Sequence, residues 1–274
     1  MVTSKNRAGL LGLEIVAVLA SLIIVVPLLM VVFGSLKTSA EASLFNIRLP
    51  SDWRFDNYAF VIRSADLGRA FGNSVLLTFL STGITVFLSS AAAFVIARRG
   101  GRTTGFMYVF FLLGLIAPMQ IITTYAVLKA LGLMGSILGV VLVNAAVQMP
   151  FSVFLYSSFI KGVPRDIDEA AAIDGCGSYR IYGRILLPLL LPVVVSNVIF
   201  LVLSIWNDIM LPLYFLDSSK WTMPLTVYNF FGQYFSDWNY VFADLLLSAL
   251  PVVVLFLTAQ KYIVSGMVQG AVKG

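Results

Sequence analysis

Apolar residues in this chain gather in long runs rather than at alternate or every third-to-fourth positions, and the charged residues fall mostly in the gaps between runs. About 20 apolar residues at 1.5 Å per residue cross a hydrocarbon core of about 30 Å, so runs of that length predict membrane-spanning helices. Six fit, at about residues 15–33, 73–97, 106–128, 134–157, 185–213 and 242–262. The first is left at Gly34-Ser35-Leu36-Lys37, the second ends at Arg98-Arg99, and the third contains Pro118. The first run is longer than the apolar region of a signal peptide, roughly 7 to 15 residues, and the small-residue string Ala40-Glu41-Ala42 lies well past its end. It therefore predicts a retained span. The expectation is an all-α integral membrane protein of six transmembrane helices, in one domain over 1–274.

Composition supports the same class. Hydrophobic residues make up 59% of the 274 and charged residues 11%, with a mean hydropathy of +0.95, whereas soluble domains run at about 45 to 50% apolar. The formal charge of +5 does not point to nucleic acid, because Lys and Arg sit in the connections between spans, where they set topology. With the N-terminus inside, 11 of the 18 Lys and Arg fall on the cytoplasmic side, which predicts that both termini are cytoplasmic.

Histidine is absent and Cys176 is the only cysteine. Disulfide frameworks, Cys/His zinc sites and His-based relays or nucleophiles are thereby excluded. No Gly-x-x-x-x-Gly-Lys-Ser/Thr loop occurs, so any ATP used must be bound by another chain. No catalytic, cofactor-binding or metal-binding residue is expected.

The connection between the fourth and fifth runs, 161–184, is unlike the rest. Pro164 suits entry to a first turn, Asp166, Asp168 and Glu169 favour a helix N-terminus, Ala170 to Ala172 are strong helix formers, and Gly175 suits a left-handed stop. Ile167, Ala170 and Ala171 are predicted on one face. A helix this short needs a partner surface. A second helical piece is predicted from Ser178, as N-cap, with Tyr179, Tyr182 and Leu186 on one face. Together they predict a helix-turn-helix knob at the inner membrane surface.

Glu169-Ala170-Ala171, then Gly175 three residues later, then nine residues to Ile185-Leu186-Leu187-Pro188, resembles the EAA motif of binding-protein-dependent ABC importer permeases, with Asp174 as in the sugar branch. Gly34-Ser35-Leu36-Lys37-Thr38, Asn73-Ser74, Trp206-Asn207-Asp208 with Leu211-Pro212, and the ending from Gln260 to Gly274 are similar to the smaller permease of maltose-type carbohydrate importers. The resemblance implies the type I ABC importer permease fold, with Ile167 to Gly175 as a cytoplasmic coupling helix. The implied contacts to the ATPase are Ile167, Glu169, Ala170, Ala171, Asp174, Gly175, Ile185, Leu187 and Pro188, and a tail carrying Ser265, Gly266, Gly270, Lys273 and Gly274. Implied partners are a homologous sister permease, two ATPase subunits that hold ATP and Mg, and an extracytoplasmic sugar-binding protein, with membrane lipid around the spans.

Polar groups within spans face a cavity or a partner by default. Gln120, Asn144, Gln148, Asn207 and Asp208 are accordingly candidates for the solute path, with bonding between helices as the competing role. An ion-coupled secondary transporter would need ionisable groups near the midplane, and Glu14, Asp208 and Asp244 read as lying at span ends. Within the importers, glycerol phosphate is the alternative cargo to sugars.

Overall fold

The structure, a computed structural model, describes residues 4–232 and 236–271, excepting the side chains of 4–12, Ile15 and 261–271. Among the described residues the regular elements are helices. In chain order they are α1 (Ser4–Gly34), α2 (Ser39–Ala42), α3 (Asp56–Ser64), α4 (Leu67–Arg98), α5 (Arg102–Ile116), α6 (Ile121–Ala130) and α7 (Ile137–Lys161). After them come α8 (Asp166–Ile173), α9 (Ser178–Arg180), a π-helical turn (Ile181–Leu186) running into α10 (Leu187–Trp206), α11 (Met210–Phe215) and α12 (Trp238–Ala271). Among the described residues five helical stretches are long and apolar enough to cross a membrane: Val16–Gly34, Leu67–Arg98, Ile137–Lys161, Ser178–Trp206 and Trp238–Gln260.

The third run, expected as one helix over 106–128, is two. Pro118 disfavours the helical conformation for the residue before it, and Ala117 is extended at φ −68°, ψ 118°. The helix restarts only after Gln120, leaving pieces of 15 and 10 residues. The fifth run, expected over 185–213, is also divided. Pro212 has no N–H, and its ring would meet the carbonyl of Asp208 in a continuous helix. The chain therefore ends α10 at Trp206 and starts α11 afresh, with Asp208 Oδ1 accepting the N–H groups of Met210 and Leu211 at 2.9 and 3.3 Å.

The chain packs as two compact units. One contains the chain up to Gly68 together with Thr226–Pro251; the other contains Arg69–Leu225 together with the chain from Val252. In the first, a polar network fastens the end of α1. The buried Lys37 ammonium donates to the carbonyl and side-chain oxygens of Asn46 at 2.9 and 3.0 Å. Asn57 Nδ2 donates to the carbonyls of Ser35 and Lys37 at 2.8 and 2.9 Å, and Asn57 Oδ1 accepts from Asn239 Nδ2 at 3.1 Å. Gly34 is required here, because a Cβ would stand 2.3 Å from the Phe242 ring. Asp244, expected at a span end, is instead buried in the second turn of α12, where its carboxylate accepts from the Thr226 hydroxyl at 2.8 Å.

In the second unit, Leu77, Leu128, Val140, Leu201 and Phe215 join α4, α6, α7, α10 and α11 in one core cluster. A second cluster, Ala93, Ala97, Tyr156, Ile160 and Leu190, joins α4, α7 and α10. Asn197 of α10 donates to Ser152 Oγ and Tyr156 Oη of α7 at 2.9 and 2.8 Å. The hydroxyl-rich face of α4 thus packs inward.

Candidate functional site

The knob between α7 and α10 is organised by its ends. Helix α8 opens at Asp166, so Pro164 lies just outside the first turn rather than within it, and Arg165 takes the capping position. Asp166, Asp168 and Glu169 occupy the first turn, where the helix dipole favours negative charge. At the other end Gly175 is left-handed at φ +78°. Its N–H donates to the Ala172 carbonyl at 3.0 Å, and the Cys176 N–H donates to the Ala171 carbonyl at 2.9 Å. These two bonds form a Schellman stop, which places a small apolar contact between the residues they link. Ala171 and Cys176 make that contact, with Val163, Ile181, Leu186 and Phe94 around them.

The rear of the knob is fastened to the end of α4. Arg98 Nε lies 2.6 Å from Asp168 Oδ2, with the two side chains only 9% and 20% exposed, and Arg98 Nη1 donates to the Val163 carbonyl at 3.0 Å. Higher on α4, the Ser90 and Tyr182 hydroxyls share a hydrogen bond of 2.8 Å, and the Phe94 ring packs against Tyr182 at 5.5 Å between centroids. The entry to the knob is held separately, with the Lys161 ammonium 4.4 Å from the centre of the Tyr108 ring of α5. A cleft of about 310 Å³ opens between Phe94, Arg98 and Arg99 on one side and Arg165, Glu169 and Ser178 on the other.

The front of the knob is bare. Ile173 is 87% and Tyr179 94% exposed, Ile167 is 37% exposed, and Glu169, Ala170, Asp174 and Gly175 are exposed beside them. The expected face of Ile167, Ala170 and Ala171 is therefore split: Ala171 turns into the chain while the other two face away. Ile185 and Leu187 are half-buried, Leu186 is fully buried and Pro188 is exposed. Tyr179 does not share a face with Tyr182 and Leu186, because the second helix is not α-helical throughout. Pro188 has no N–H to offer the Arg184 carbonyl, and the Leu187 N–H reaches back five residues to Tyr182. The wider turn rotates the residues out of register. Nor does Ser178 cap this helix; Gly177 takes that position without a side-chain bond.

The tail residues Ser265, Gly266 and Gly270 fall on α12, with their side chains outside the described set, and Lys273 and Gly274 lie outside the described residues. The polar candidates in the spans do not converge on one site. Gln148 Nε2 bonds Ser204 Oγ of α10 at 2.8 Å, Asn207 Nδ2 bonds the Leu203 carbonyl at 2.8 Å, and Asp208 caps α11. Asn144 is buried with its side-chain nitrogen unpaired. Gln120 is exposed where α5 gives way to α6. Sequence reasoning missed Arg98, Asn197 and the π turn. The signals for the first two were a cation ending a span and an amide in the middle of one.

A multi-helix membrane chain, carrying a stiff knob fastened at the rear and bare in front, defines a subunit that works by contact rather than by chemistry. The pattern that characterises binding-protein-dependent transport system inner membrane components matches residues 85–269, and this chain belongs to that family. It is a non-catalytic permease subunit. It is 36% identical over 259 residues to the multiple sugar-binding transport system permease protein MsmG of Streptococcus mutans, covering 92% of this chain and 93% of that one. It is 32% identical over 270 residues to the melibiose/raffinose/stachyose import permease MelC of Bacillus subtilis, covering 96% and 98%. Its fold is that of a chain from a bacterial ABC transporter involved in the import of the acidic polysaccharide alginate, with a TM-score of 0.82 at 18% identity over 96% of this chain and 99% of that one.

Proposed function

We infer that this chain forms half of the passage of an ATP-driven sugar importer, and that α8 is the piece that seats in the ATPase. The bare front of the knob carries this reading. Large apolar side chains projecting at 87% and 94% exposure beside Glu169, on a knob whose rear is fastened to α4, mark a surface that a partner covers. The sugar assignment is supported by the relatives, whose names specify sugars and oligosaccharides. On this reading the complex holds a sister permease, two ATPase subunits carrying ATP and Mg, and an extracytoplasmic sugar-binding protein. The chain crosses the membrane six times, with α5 and α6 together making the third crossing and both termini on the ATPase side. The tail from Ser265 to Gly274 also reaches the ATPases.

The passage runs past the two broken helices. Backbone left unpaired by a break is tolerated at membrane depth only where it meets protein or water. The exposed amides of Gln120 and Asn207 stand at the two breaks and are the groups we assign to the solute path.

The test is uptake by the whole complex in liposomes. Glu169→Lys places a cation on the docking face, and Gly175→Val forces a β-branched residue into a left-handed conformation that costs about 1 to 3 kcal/mol. Both variants should insert normally and lose sugar uptake by about a hundredfold, a typical upper range for a coupling free energy. Normal uptake by both would remove the docking role, and transport of glycerol phosphate in place of every sugar tried would redirect the cargo.

A further inference from the structure

We propose that Arg98 is the positioning residue that links the knob to α4, so that movement of the knob passes to α4 through a rigid link and to the start of α10 through the more compliant π turn. The inference rests on the docking role of α8 proposed above and adds the route by which the movement leaves it.

Three observations carry it. Beyond the short chain link that enters it from α7, the knob has two connections to long helices of its own unit, and they differ in stiffness. Toward α4 the link is a side-chain clamp: one guanidinium pairs with Asp168 at 2.6 Å and holds the Val163 carbonyl at 3.0 Å, so Arg98 grips α8 and the turn before it together. The clamp is largely shielded, with the two side chains 9% and 20% exposed, so salt screens it less than a surface pair. A second bond, between Ser90 and Tyr182, ties the start of the π turn to the same face of α4 about two turns away, so the attachment resists rotation as well as translation and the compliant part of the link to α10 lies beyond Tyr182.

Toward α10 the link is a backbone that lacks α-helical bonding. Over Ile181–Leu186 the hydrogen bonds run across five residues, and Pro188 withdraws the donor that the Arg184 carbonyl would need. Helices bend at prolines and π turns, so this link is the more compliant of the two. Arg98 ends a helix of 32 residues, long enough to carry a displacement across the membrane. Between the links to α4 and α10, the one through Arg98 is therefore the more rigid.

The experiment measures solute moved per ATP hydrolysed by the complete importer in liposomes, beside co-purification of the ATPase. Asp168→Asn and Arg98→Gln should keep the ATPase bound and hydrolysing while solute moved per ATP falls by about threefold to tenfold, the size of effect seen for residues within a coupling network. Arg98→Lys, which keeps the charge and loses the fork that also holds Val163, should fall in between. An unchanged ratio in both Asp168→Asn and Arg98→Gln overturns the proposal. So does loss of the ATPase from both, since the pair would then serve only to shape the docking face. Glu169→Lys separates this proposal from the one beneath it: if that variant transports normally, the docking role fails whatever Arg98 does, and if it fails as expected while the Arg98 ratio is unchanged, only the route is wrong.

Discussion

Two buried cations, Lys37 and Arg98, each organise the end of a long helix, and they do so by different means. Lys37 is held by the oxygens of Asn46 alone, within a web of amide bonds through Asn57 and Asn239. Its acceptors are neutral and close along the chain, and one oxygen of the web, Asn239 Oδ1, stays buried without a hydrogen-bond partner. Arg98 is paired with an acid on a separate short helix, and its Nη2 remains buried without a hydrogen-bond partner. A web of neutral acceptors near one another in the chain fixes a geometry. A charge pair with donors in reserve holds two elements together while leaving room for a second arrangement. The lesson is that a buried cation's partners, more than its burial, separate a staple from a linkage.

That contrast can be broken by experiment. The largest effect expected is from Lys37→Ala, which leaves a cavity and strands both Asn46 acceptors at a cost of about 4 kcal/mol. The thermal midpoint of the purified protein in detergent should fall sharply, and uptake should fall in step with the amount of folded protein while solute moved per ATP stays constant. Asn57→Ala removes three hydrogen bonds and should cost about 2 to 3 kcal/mol with the same signature. Should either variant change the transport ratio instead, the Lys37 network is a linkage too. The smallest effect is from Ser90→Ala, which deletes one shared hydroxyl bond worth about 1 kcal/mol. Its midpoint should hardly move while solute per ATP drops measurably; a lowered midpoint with an intact ratio would make that bond a staple.

Much of this architecture was written in hydropathy. From Val16 to Phe33 no residue of the first span is buried, so little in that sequence is constrained except being apolar, and it is the plainest span among the described residues. The stop of α8 was equally legible, because Gly175 is the residue type that a left-handed stop demands. The broken spans were misjudged because hydropathy records solvent preference and is blind to backbone donors: the runs around Pro118 and Asn207-Asp208 are apolar enough to cross, but cannot remain helical. The small residues Ser89 to Ala93 do not name their neighbours in sequence; the structure gives Tyr182 for Ser90 and the cluster of Tyr156 and Leu190 for Ala93. The Arg98–Asp168 pair lay furthest from view. Each residue had a sufficient local explanation, as a topology signal and as a dipole partner, and nothing in the spacing of 70 positions joined them.

The bond from Asn239 to Asn57 also sets a schedule for making the protein. The two residues are 182 apart in sequence, with nearly the whole of the second unit encoded between them. At roughly 5 to 20 residues per second, a ribosome needs about ten to forty seconds after Asn57 emerges before Asn239 exists. Throughout that interval α1 can sit in the bilayer on hydrophobicity alone, while the turn that follows it waits for its last hydrogen bond. The network whose first residues are made earliest closes only after most of the chain exists.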